Sequence, residues 1–79
     1  MRLSRKTEVL SRTGYTNSPL YNDIGQGLFT EPVKISDRRA AGWPDHEIDQ
    51  LIAARVAGKA DDEIRALVAK LHAARKAVQ

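Results

Sequence analysis

The stretch VLSRTGYTNSPLYNDIGQGLFTEPVKISDRRAAGW, Val9–Trp43, decides the fold of this chain. Val9 and Leu10 form the apolar stripe of a short first helix, roughly residues 5–13, with Ser4 placed as its N-cap. Gly14 ends that helix, because glycine takes a positive φ without steric cost. Thr16 is the N-cap of a second helix, and Pro19 falls in its first turn, where a missing N–H costs nothing. Leu20, Ile24 and Leu28 recur at helical spacing and face inward. Gly25 and Gly27 stop the helix early. Glu31-Pro32 breaks the chain, since a residue before proline is pushed out of helical geometry. Val33-Lys34-Ile35-Ser36 then alternates apolar and polar, the period of a half-buried strand. Asp37-Arg38-Arg39 is the tip of a hairpin and Ala40 to Trp43 its return strand. So short a ribbon cannot stand alone and must pack on the helices. Helix, turn, helix and hairpin in this order make a winged helix-turn-helix, the arrangement that presents one helix to a DNA groove.

Beyond this stretch the pattern is helical. Pro44-Asp45 opens a third helix with a proline and an acid suited to its first turn. Ile48, Leu51, Ile52 and Val56 mark one buried stripe, and Gly58 ends it. His46 sits among Asp45, Glu47 and Asp49 on what reads as an exposed helical start. Asp61, Asp62 and Glu63 crowd the beginning of a fourth helix, again matching the dipole. Ile64, Leu67, Val68, Leu71 and Val78 line one face of it, with Ala74 between. Tyr15, Tyr21, Phe29 and Trp43 are the only aromatic residues, so the chain divides into an aromatic head and an aliphatic tail. Trp43 is expected in the core, closing the wing against the third helix. The expected class is mainly α with a small β-hairpin: a winged helix-turn-helix followed by two additional helices. Residues 1–57 form the DNA-binding domain. Residues 58–79 form a C-terminal helix that packs on the domain or mediates self-association.

Seventy-nine residues suffice for one small domain. With no cysteine there is no disulfide and no thiolate metal site, so packing must hold the fold. The basic start lacks the apolar run of a signal peptide, and no segment is apolar enough to span a bilayer. A soluble, cytoplasmic protein is the expectation. The net charge is +3, and its placement is uneven. Residues 1–39 carry seven Lys/Arg against four Asp/Glu, whereas residues 40–79 carry six against six. The whole positive excess therefore lies in the half that holds the helix-turn-helix pattern, as a polyanionic partner requires.

With Leu20 and Ile24 inward, Asn17, Ser18, Tyr21 and Asn22 fall outward. Asparagine pairs bidentately with adenine, and serine reaches a base or a phosphate. The Tyr21 hydroxyl suits a phosphate, and the helix start at Thr16 favours one as well. Lys34, Arg38 and Arg39 place cations on the wing, within reach of the flanking backbone or the minor groove. Arg5, Lys6 and Arg12 belong to the first helix and its approach, an element that crosses the backbone in such folds. Each cluster also has a plainer explanation. Asn, Ser and Thr cap helices, and basic hairpin tips deter edge-to-edge pairing.

The blocks Glu8 to Gly14, Ser18-Pro19-Leu20-Tyr21, Gly27-Leu28-Phe29 with Pro32-Val33-Lys34-Ile35, and Gly42-Trp43 together resemble AlpA-type prophage regulators. The tail from Asp61-Asp62-Glu63-Ile64-Arg65 through Leu71-His72-Ala73-Ala74-Arg75 is similar to longer members of that group. The likeness covers nearly the whole chain, and the ordered series of blocks is what makes it specific. It implies a winged helix-turn-helix related to the MerR and excisionase DNA-binding domains, a bacterial or phage setting, and a role in transcription control or prophage excision. The second helix of that family usually runs Ser-x-Ser-Thr-(Ile/Leu)-Tyr-Arg. Here Thr16 stands for the first Ser, Pro19 for the Thr and Asn22 for the Arg, which removes a phosphate or guanine contact. Lys6 also stands where many relatives carry an apolar residue.

Catalysis finds little support. His46 and His72 are far apart and belong to no HExxH-type pattern. Gly25-Gln26-Gly27 is a lone Gly-x-Gly that follows a helix rather than a strand. No cofactor or metal is expected. The serious rival is a protein–protein interaction module built on the third and fourth helices, whose 64, 67, 71, 74, 78 spacing fits a short seam. The favoured reading is a DNA-binding regulator acting as a homodimer or in tandem on double-stranded DNA.

Overall fold

The computed structural model describes residues 2–34 and 41–76. Its elements run β1 (Leu3–Ser4), α1 (Lys6–Thr13), α2 (Asn17–Gly25), β2 (Val33–Lys34), β3 (Ala41–Pro44), α3 (Asp45–Val56) and α4 (Asp61–Arg75). The result is mainly α with a small antiparallel sheet, as the sequence pattern requires. Ile35, Ser36, Asp37, Arg38, Arg39 and Ala40 lie outside the described residues, so the expected tip of the wing does too.

Gly14 closes α1 at φ 79°, its N–H donating to the Leu10 carbonyl at 2.9 Å. The entry to α1 differs from expectation. Arg5 holds the N-cap position without a side-chain cap bond, and Ser4 is buried in a strand instead. That strand, β1, pairs with β3 in the register Leu3↔Pro44 and Ser4↔Trp43, and the Ser4 hydroxyl donates to the Asp45 carboxylate. A two-residue strand is too short to show alternation, so only the partner strand reveals it. β2 flanks β3 on its other edge, with Val33↔Gly42 and Lys34↔Ala41, giving the order β1-β3-β2.

One cluster of buried side chains joins all four helices: Val9, Leu20, Ile48, Leu51, Ile64, Val68 and Leu71, with Leu28, Phe29 and Trp43. The rings of Tyr15 and Phe29 meet edge to face at 5.9 Å, and those of Phe29 and Trp43 at 6.3 Å. The Trp43 indole donates to the Thr30 carbonyl at 2.8 Å, which joins the wing to the core. Leu28 is buried, but not as the third rung of α2. That helix ends at Gly25, and Gly27 at φ 77° bends the chain so that Leu28 and Phe29 enter the core from a turn.

The third helix departs from its pattern at both ends. Val56 is 83% exposed because the last turn runs past the core it was expected to cover. Glu47, expected on an exposed helical start, has no solvent exposure. Its two carboxylate oxygens accept from Arg75 of α4 at 2.8 and 2.6 Å. On α4 itself Ile64, Val68 and Leu71 are buried and Leu67 half-buried, whereas Ala74 is exposed and Val78 lies outside the described residues.

Candidate nucleic-acid interface

The burial of Leu20 and half-burial of Ile24 fix which face of α2 looks outward. Asn17, Ser18, Tyr21 and Asn22 are all exposed, and with Pro19 and Asp23 they line one recess on the surface. Thr16 occupies the N-cap position, exposed and with no side-chain cap bond, so the N–H groups of Asn17 and Ser18 take no cap from its side chain. That is an arrangement that accepts an anion. Asp23 is the only charged residue on the helix, and it accepts from the Tyr15 hydroxyl. Burial of Tyr15, reinforced by that hydrogen bond, pushes its phenol up to about 12. The carboxylate of Asp23, which borders the same recess, is thereby held by Tyr15.

A second concavity adjoins the first. Arg5, Lys6 and Thr7 at the start of α1 line it together with Tyr21, Pro32, Ala41 and Trp43. Tyr21, 47% exposed, borders both recesses, and the Lys6 ammonium stands 5.6 Å from its ring centroid. Lys6 is exposed there, which explains how a cation occupies a position that is apolar in similar sequences. Lys34 is exposed on β2, paired in register with Ala41 at the edge of this concavity.

The ion pairs sort the cations. Arg2 pairs with Glu8 and Asp45, Arg55 with Asp61, Lys59 with Glu63, Arg65 with Asp62 and Arg75 with Glu47. Among the described residues, Arg5, Lys6 and Lys34 of the head, and Lys70 and Lys76 of the tail, have no carboxylate partner. Of the three in the head, Arg5 and Lys6 line the recess that adjoins the polar face of α2, and Lys34 lies on β2 opposite Ala41 of that recess. Arg12 stands apart from the set. Its guanidinium reaches Asp45 at 3.6 Å and is also bonded to Asp49, which fastens α1 to α3. Arg38 and Arg39 lie outside the described residues.

Two features escaped sequence reasoning. One is the meeting of Lys6, already placed on the first helix, with the Tyr21 ring across two helices. The other is a row on α4, Arg65, His72 and Arg75, that grips the backbone between α2 and β2. The 65, 68, 72, 75 spacing of one helical face was the signal available for it. No group of three or more His, Asp or Glu side chains able to hold a metal stands together among the described residues.

A family model described as Prophage CP4-57 regulatory protein (AlpA) matches residues 2–56. The match takes in every element from β1 to α3 and stops before α4. Comparison with curated proteins and with solved structures returns no significant match.

Proposed function

The chain belongs to the AlpA family of prophage regulatory proteins, and from that premise we propose that it binds duplex DNA in a sequence-specific way, as a phage-type transcriptional regulator or an excisionase-like architectural factor. The observation that carries the reading is the uncovered polar face of α2 beside Arg5 and Lys6, two cations that lack carboxylate partners among the described residues. In this reading α2 enters the major groove. Asn17, Ser18 and Asn22 meet base edges, while Thr16 and the Tyr21 hydroxyl meet phosphate. Arg5, Lys6 and Lys34 hold the backbone alongside, and Arg38 and Arg39 extend the contact at the wing. Arg12 joins this backbone set and is also the clamp between α1 and α3. Because α2 carries no Lys or Arg, its bases are those a carboxamide reads, adenine before guanine.

Residues 1–57 are the DNA-reading unit and residues 58–79 a helical tail laid on it. The setting is the cytoplasm of a bacterial host, and no described helix is long and apolar enough to cross a membrane. The protein acts without catalysis or cofactor. The interaction-module reading draws less support, because Ile64, Val68 and Leu71 are already occupied by the chain's own core.

Selection of bound duplexes from a random pool tests the proposal. The expected result is a short enriched motif containing adenine, with log affinity falling linearly in log salt at a slope of about −0.9 per phosphate contacted. No binding to any duplex at low salt overturns it.

A further inference from the structure

The segment Gln26–Pro32 joins the helix that reads to the strand that begins the wing, and it contains no regular secondary structure. Besides the bond from Trp43 of β3 to the Thr30 carbonyl, its backbone is held from outside by α4. The Arg65 guanidinium donates to the Gln26 carbonyl at 3.0 Å, and its Cγ lies 3.7 Å from where a side chain on Gly27 would begin. The Glu31 N–H donates to His72 Nε2 at 3.1 Å, and the Glu31 carbonyl accepts from Arg75 at 2.7 Å. Arg75 is itself immobilised by its two bonds to the buried Glu47 of α3. Both ends of the connector are thus tied to one rigid helix, and at Glu31 both the donor and the acceptor of the peptide are engaged. Along α4 these residues follow a single stripe beside the apolar one: 65, 72 and 75, with buried Val68 between.

We propose that α4 is a brace that sets the separation and angle between α2 and the wing, with Arg65, His72 and Arg75 as its positioning residues. This rests on the DNA-binding reading and adds what that reading lacks, a reason for the helix beyond the family-matched region. Two contact elements engage one duplex together only if their spacing is preset; otherwise each binds alone and the combined affinity is lost. The brace acts through backbone atoms of the connector, so it alters how firmly the duplex is held without altering which bases α2 prefers.

Arg75→Ala is a poor test, because it strands a buried carboxylate and threatens the fold. The double variant Arg65→Met/His72→Leu removes the two other ties and leaves the Glu47–Arg75 pair in place. In the full chain this variant is expected to keep a helical circular dichroism spectrum and a cooperative melt. Its Glu31 amide should exchange about tenfold faster while amides of the buried turns around Ile48 and Leu51 stay unchanged. Affinity for the selected duplex should drop on the order of tenfold. The salt slope should become shallower by about 0.9, the loss of one wing phosphate. Base preference should stay as in the parent chain. A variant whose Glu31 exchange matches the parent, or whose salt slope is unmoved, overturns the brace. A parent chain that binds no duplex refutes the DNA reading, and exchange at Glu31 then decides the brace alone.

Discussion

Glu47 is fully buried, and an ionised carboxylate withdrawn from water is costly unless every oxygen finds a donor. Arg75 supplies two donors to it and a third bond to the Glu31 carbonyl, so one guanidinium neutralises the charge and ties three elements. Truncating Arg75 to Ala is expected to cost about 3–5 kcal/mol in urea denaturation, whereas replacing both partners by Leu recovers most of the loss. Tyr15 adds a pH dependence of its own. Its phenol stands at about 12 in the fold against an ordinary 10.0, so the unfolded chain releases this proton more readily. The stabilisation is fully present below pH 10 and is lost as pH rises toward 12. Melting temperatures across that range should fall in the parent chain, and Tyr15→Phe should flatten the part of the fall due to this group.

At the scale of the element, the proposed DNA contact divides between α2 and the wing. Helix α2 has polar groups and no cation on its open face; the cations lie on α1 and β2. On the proposed reading bases and backbone are met by different elements, and their substitutions should behave differently. Asn22→Ala is expected to change base preference at one position by about 1–3 kcal/mol, read by repeating the duplex selection. Arg38→Ala/Arg39→Ala should weaken binding to all sequences alike and reduce the salt slope by about two phosphate contacts. If the Asn22 change leaves preference intact, the reading helix has been placed wrongly.

At the scale of the whole molecule, one short helix in a groove reads only a few base pairs, too few for a useful site. The longest dimension of the chain is 36 Å, close to the roughly 34 Å of one DNA turn. On the proposed reading two copies bind side by side on one face of a duplex, with half-sites about one turn apart. Titration should give two chains per selected site. Inserting about half a turn of DNA between the half-sites should abolish cooperative binding, because it moves the second copy to the opposite face. Binding that stays non-cooperative on the unmodified site would show that a single head suffices.

Much of this architecture was legible because it is local. Gly14 ends α1 through its own φ, and the Leu20/Ile24 spacing turns Asn17, Ser18, Tyr21 and Asn22 outward by helix geometry alone. The order of helices and wing, and the place of Trp43 in the core, follow from patterns within a few residues. What the tertiary structure decided involves partners distant along the chain. Ser4 became a strand residue because β3 pairs with it, and Glu47 became a buried ion because Arg75 lies against it. Val56 was left outside because no described residue buries it at the last turn of α3. Periodicity says which face of a helix is apolar, but only docking says how far the core extends beneath it and which polar side chains the docked helices trap between them.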